Sequence, residues 1–353
     1  MKRFLKIFSF VLAIVMIPFI LPSCGDEESA GFVLTIRNIT DDTMVYTEGF
    51  YKYQLFDDDT VMITEYTGNE TEIVIPATLG GFKVSTVGSS NGYGAFEGMV
   101  EITSITIPEG VEEIAACAFY GCTKLETISI PGSVWGIGQD AFTNTPWLQK
   151  FENEEFVIVG DSVLIEYNGN ALNVVIPDTV KHVGAVFCGN ETIKSVVVPN
   201  SVYTIAPVAF MNSTVSRVEL GNNVLSIGVL AFSACTDLYY INLPDSLKRI
   251  EAGAFYSCSS LRFLKFGKSV EYIGEEAFRN ASGLNYVYFP KSLISEGQNK
   301  YDEEEAKTIE TFAFYDTGLT YVFFEGTQAE FDKINIANNP DLADATKVFD
   351  YKY

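Results

Sequence analysis

Few side chains in this sequence are placed to do chemistry. There is one histidine, His182, which removes most histidine-based catalysis and every histidine-rich metal site. It lies between Lys181 and Val183, at a repeat position filled elsewhere by Glu113, Gly136, Thr204, Ser226, Arg249 and Tyr272, and is expected on the surface. No HExxH, GxSxG, phosphate-binding loop or complete GxGxxG occurs, so no catalytic residue is assigned and the chain is not read as an enzyme. Carboxylates are plentiful: 46 Asp+Glu face 23 Lys+Arg, a net charge of -23. Nothing singles out a pair with separated acidities for acid–base work. The runs Asp57-Asp58-Asp59 and Asp302-Glu303-Glu304-Glu305 carry hard oxygen ligands suited to calcium, but neither has EF-hand spacing. Both are read as solvated turns, and no metal or cofactor is expected. Such acidity also argues against nucleic acid as a partner.

Cysteine chemistry divides in two. Cys117, Cys122, Cys188, Cys235 and Cys258 form no CxxC pair, and spacing alone cannot connect them. Cys24 stands apart. Lys2, Arg3 and Lys6 precede an apolar run of about 11 residues that contains Pro18 and ends at Leu21-Pro22-Ser23-Cys24. That run is short for a membrane span of about 20 residues and reads as a secretory signal. Leu21 and Ser23 before Cys24 resemble a bacterial lipobox, although Pro22 departs from it. The resemblance implies cleavage after residue 23 and lipid on Cys24, so that the membrane would be met through the N-terminal lipid alone. Asp26-Glu27-Glu28 resembles a surface-export tag; a solvated linker is the other reading.

The elements that would position any site come from an internal repeat. Ile102, Ile105, Ile107, Pro108, Val111, Ile114, Ala118, Phe119 and Cys122 set a pattern that returns at Leu125–Phe142, 23 residues on. Further copies cover Ile193–Phe210, Val215–Cys235, Leu238–Cys258 and Leu261–Phe278. Alternation in the first segment demands a half-buried strand, and Pro or Gly ends it. A second short extended segment follows, and the Ala-Phe segment suits a helical turn that drives the ring inward. One coil cannot bury its own apolar face, but stacked coils share a core. Phe96, Phe119, Phe142, Phe187, Phe210, Phe232, Phe255, Phe278 and Phe314 would be its spine. Cys122, Cys235 and Cys258 all lie three residues after such a Phe and fall in one column; a bond between Cys235 and Cys258 and a column of free buried thiols are both open.

The pattern resembles the BspA-type leucine-rich repeat over roughly residues 70–350. The resemblance implies a right-handed, curved solenoid, rich in strands with short helical turns and capped at both ends. The organisation expected is a signal peptide over 1–23, a tether over 24–48 and a repeat domain over 49–353. Within that domain, 49–72 is a capping hairpin, 73–324 the repeats and 325–353 the C-terminal cap. A hairpin replaces one coil near 151–170, and a loop is inserted near 295–308.

In the first strand of each coil, the positions flanking the central apolar residue point away from the core. They run from Ser104/Thr106 and Thr127/Ser129 through Arg217/Glu219 to aromatics. Tyr240, Phe263, Tyr286, Tyr288, Tyr321 and Phe323 are therefore the candidate ligand-binding face. Two structural readings compete: aromatics favour strands and support one another across rungs, and the 295–308 insertion would fold over them. The family resemblance implies a surface adhesin that takes a protein of a host, matrix or neighbouring cell; the lipobox-like Cys24 and the acidic run after it would anchor it by lipid at the outer membrane, facing outward. The alternative is a lipoprotein that captures glycan for an uptake system.

Overall fold

A computed structural model describes residues 15–18, 34–37, 39–40, 44–88, 94–293, 309–334, 336 and 338–352. Cys24, the acidic run after it and the 295–308 insertion lie outside the described residues. Within the expected signal peptide only Val15–Pro18 is described, paired antiparallel with Leu34–Arg37. The chain divides into two compact units, Met1–Asn168 and Gly169–Tyr353. Both are β-solenoids with little helix.

In the first unit, Tyr51–Leu55 and Thr60–Tyr66 pair antiparallel, and Tyr46–Glu48 adds a third strand beyond them. The turn between the paired strands is held by Asp58, whose Oδ1 accepts from the Thr60 amide at 3.1 Å and hydroxyl at 2.7 Å. Asp57-Asp58-Asp59 thus serves a tight turn, with Asp59 left-handed at φ 59°. Two parallel ladders follow. One joins Glu72–Val74, Ser104–Thr106 and Thr127–Ser129; the other joins Phe82–Val87, Glu113–Ile114 and Gly136–Ile137. After Phe142 the repeat gives way to the short helix Pro146–Gln149, N-capped by Thr145, and to the antiparallel strands Phe156–Val159 and Val163–Tyr167.

The second unit repeats the plan. Asn173–Val175, Ser195–Val197, Arg217–Glu219 and Tyr240–Ile241 form one parallel ladder. Phe263–Lys265, Tyr286–Phe289, Tyr321–Phe324 and Thr346–Val348 form another. The second segments of the coils, from His182–Val183 to Tyr272–Ile273, stack as five parallel two-residue strands. Coils approach closely enough here to exclude side chains: a Cβ on Gly228 would stand 2.5 Å from the Pro207 nitrogen. The short helices Gln328–Phe331 and Pro340–Asp344 lie between the strands Tyr321–Phe324 and Thr346–Val348. Among the described residues, no helix is long and apolar enough to cross a membrane.

The phenylalanine spine is present in both units. Phe96, Phe119 and Phe142 stack at 5.3 and 5.8 Å between ring centroids. Phe187, Phe210, Phe232, Phe255, Phe278 and Phe314 stack at 4.8 to 5.2 Å. Each ring is held by the backbone around it, and the Ala-Phe segment is not a helix. Around seven of the nine rings left-handed residues stand two before and two after, as Asp140 and Asn144 do around Phe142, Leu230 and Ala234 around Phe232, and Glu276 and Asn280 around Phe278; Phe96 and Phe187 have only the second, Gly98 and Gly189. These tight turns free the Phe amide to bond to the next coil, as from Phe232 to the Ala254 carbonyl at 2.7 Å. A continuous helix would direct that amide back along its own axis.

Candidate functional site

The second unit carries the candidate face. In its later ladder the central residues Leu264, Val287 and Val322 are fully buried, and the side chains on either side turn outward. Phe263, Tyr286 and Tyr321 stand in successive rungs and are 45, 40 and 42% exposed. Tyr286 stacks on Tyr321 at 5.9 Å, and Tyr288 on Phe323 at 4.6 Å. Tyr351, which the sequence did not single out, packs on both Tyr288 (5.5 Å) and Phe323 (5.0 Å), leaving these two half-buried.

Tyr240 belongs to the preceding ladder. The Asn242 side chain donates to the Leu220 carbonyl at 2.8 Å and accepts from the Leu220 amide at 2.7 Å. It takes the place of a backbone rung, and the strand stops at Ile241. Tyr240 is covered by the Arg217 guanidinium, 4.1 Å from its ring centre, and Arg217 pairs with Glu219 at 2.9 Å. Of the six aromatics, the structure therefore gathers five in one ladder and leaves three of those openly accessible. Thr346, Asp341 and Asp344 border the same ladder without having been legible as part of it. Together with Tyr286 and Tyr321 they line an open depression of about 580 Å³. Residues 340–348 have lost the repeat consensus, so no periodicity announced their strand.

The other chemically suggestive residues have structural duties. His182 is 2% exposed, against the surface position expected for it. Its Nδ1 lies 2.8 Å from the Thr204 hydroxyl, and the register continues from Thr204 to Ser226, also buried. Neighbouring coils thus cover a side chain that a single coil would leave bare. Cys122, Cys235 and Cys258 are free buried thiols, donating to the carbonyls of Phe96, Phe210 and Phe232 at 3.0 to 3.1 Å. Burial pushes Cys122 and Cys235 up to about 11, and Cys258 also upward, so all three stay protonated. Among the described residues, no group of three His, Cys, Asp or Glu is placed to hold a metal ion.

The chain is similar to several solved bacterial proteins. A leucine-rich repeat protein of T. pallidum is 28% identical over 60% of this chain and 88% of its own, with a TM-score of 0.29. One from Bacteroides ovatus is 20% identical, covering 86% and 99%, with a TM-score of 0.39. The pneumococcal vaccine antigen PcpA is 16% identical, covering 89% and 100%, with a TM-score of 0.39. No curated protein matches the sequence. The family model for the BspA type leucine rich repeat region matches in 6 copies, over residues 89–216 and 205–343. That is well over half of the 353 residues, and it is the same coil whose strands, turns and phenylalanines are described above: the chain belongs to the BspA-type leucine-rich-repeat family.

Proposed function

We propose that the protein is a cell-surface adhesin, held to the outer membrane by lipid on Cys24, whose exposed strand face takes a protein of a host, a matrix or a neighbouring cell. One observation carries the reading: Phe263, Tyr286 and Tyr321 lie exposed in adjacent rungs of one rigid ladder. Aromatic side chains there offer flat area with little rotamer entropy to lose, the property that makes them binding hot spots. Membership of a repeat family supports binding rather than catalysis.

The test is the triple variant Phe263→Ser, Tyr286→Ser, Tyr321→Ser. Serine already stands at the corresponding position in Ser104 and Ser195, so the coil tolerates it. Binding to cells and protein-coated surfaces is expected to fall while the melting curve keeps its shape. Undiminished binding by a folded variant would overturn the reading. Loss confined to a glycan array would move the protein to the glycan-capturing class. Membrane fractionation of Cys24→Ser tests the anchor separately; normal retention would remove it.

A further inference from the structure

The second unit uses one small motif three times. An arginine lies on a tyrosine ring at the same place in a neighbouring coil, and a carboxylate holds the arginine. Arg217 covers Tyr240 at 4.1 Å and pairs with Glu219. Arg249 covers Tyr272 at 4.0 Å and pairs with the fully buried Glu251 at 2.7 Å. Arg279 covers Tyr315 at 5.1 Å and pairs with Glu276.

The depression beside Tyr321 brings together the same two kinds of group, tyrosine rings and carboxylates, without an arginine between them. The rung order is Tyr286, Tyr321, Thr346. Two tall rings thus end at a short side chain. In the three motifs the arginine comes from the coil before its tyrosine; on Tyr321 that side is taken by Tyr286, and the side left open is the one toward Thr346. Asp344 and Asp341 stand at the rim. Asp341 Oδ2 accepts from the Thr317 amide at 2.8 Å, which fixes its carboxylate in place. No lining residue is basic, and among the described residues no cation lies on Tyr286 or Tyr321. Lys347 interacts electrostatically with Asp344, but it is in register with the inward-facing Val322, donates to the Ala343 carbonyl and does not line the depression.

We propose that this depression seats one arginine side chain of the protein partner, with its guanidinium against Tyr321 and its charge on Asp344 and Asp341. A guanidinium suits both walls: its plane stacks on a ring, and its edge donates to carboxylates. A neutral sugar would use the rings and leave the charge of the two lining carboxylates unanswered. The net charge of -23 also steers a basic segment toward the protein. The inference rests on the strand face being a protein-binding surface, and names the chemistry of the residue recognised there.

The experiment titrates the full chain, with labelled tyrosine rings, against the blocked peptide acetyl-Gly-Arg-Gly-amide at low salt. Its counterparts are the isosteric citrulline peptide and methyl glucoside. Tyr→Phe variants assign the signals. Saturable shifts at Tyr286 and Tyr321 are expected with arginine alone. Asp344→Asn should weaken them up to about fivefold, the scale of an exposed charge pair. Thr346→Arg should abolish them, because the chain then fills its own seat. Absence of a response into the tens of millimolar, an equal response to citrulline, or a response to the glucoside instead would each overturn the proposal. The two readings fail differently. Partner binding lost in the triple serine variant but untouched by Asp344→Asn and Thr346→Arg removes the arginine seat and keeps the adhesive face. Peptide binding by a protein whose triple serine variant still holds its partner removes the face and keeps the seat.

Discussion

Replacing Phe255 by alanine tests the packing model where it is most exposed to failure. The ring is fully buried and lies between Phe232 at 5.2 Å and Phe278 at 5.1 Å, both inclined by only 5°. Truncating a buried phenylalanine costs about 3–5 kcal/mol, transfer and cavity together. Two stacked partners add about 0.5–1.5 kcal/mol each beyond area. The cavity cannot collapse easily, because the Phe255 amide bonds to Ala277 at 2.7 Å and the next coil is tied in the same way. The expected loss is therefore at the upper end, about 5 kcal/mol. Denaturant unfolding followed by circular dichroism and by intrinsic fluorescence measures it; two probes are needed because coils of a repeat array can unfold unequally. The double variant Phe232→Ala, Phe255→Ala should show a coupling of about 0.5–1.5 kcal/mol. Phe255→Ala with Phe314→Ala, separated by the Phe278 ring, should be additive. A single-variant loss under about 1.5 kcal/mol, or neighbours without coupling, would refute the spine as the source of stability.

Three further outcomes are expected. Gly253→Ala should cost at least about 1 kcal/mol, since φ is +61° and the new methyl meets Leu230 Cδ2 at 2.6 Å; equilibrium unfolding reads it. Cys122, Cys235 and Cys258 should resist a thiol reagent at pH 8 in the folded protein and react at once in denaturant, because burial keeps them protonated and covered; rapid labelling of the native protein would contradict this. Glu330 is held down to about 2 by Lys291 at 2.6 Å and by the Thr327 cap. Its folded value lies below the unfolded carboxylate value of about 4.3, so its contribution is complete above that pH and is lost as pH falls toward 2. Glu330→Gln should flatten the melting temperature against pH in that window, and an unchanged slope would remove Glu330 as its source.

The coil was legible because its apolar positions recur at one spacing, and only stacking explains such a recurrence. Inward Leu264, Val287 and Val322, the spine and the column of thiols all follow from it. What one coil cannot state is how the next coil covers it. His182 reads as a surface residue until Thr204 and Ser226 are set beside it in register. Asn242 reads as one more polar residue until its amide replaces a rung. The left-handed turns around most of the spine phenylalanines were illegible for a different reason. Asp140, Leu230, Ala234, Ser257 and Glu276 share no chemistry. Their conformation is imposed by the buried ring and the ladder on either side, which outweigh a local preference of about 1–2 kcal/mol.

The same division explains how the proposed binding face can arise without endangering the fold. Backbone bonds and inward side chains fix each rung, so the outward positions carry little of the stability and can change type from Ser104 to Tyr321 on one frame. Changes of one rung are felt mainly by its two neighbours. Arg217 on Tyr240 and Arg249 on Tyr272 show what two such neighbours do when their chemistry is complementary: they close on each other, and the ring ceases to be open surface. A short Thr346 beside Tyr321 leaves that pairing unmade. On the arginine proposal, an open ring beside a carboxylate is a rung whose partner belongs to another molecule, and one substitution, Thr346→Arg, should convert binding surface into structure.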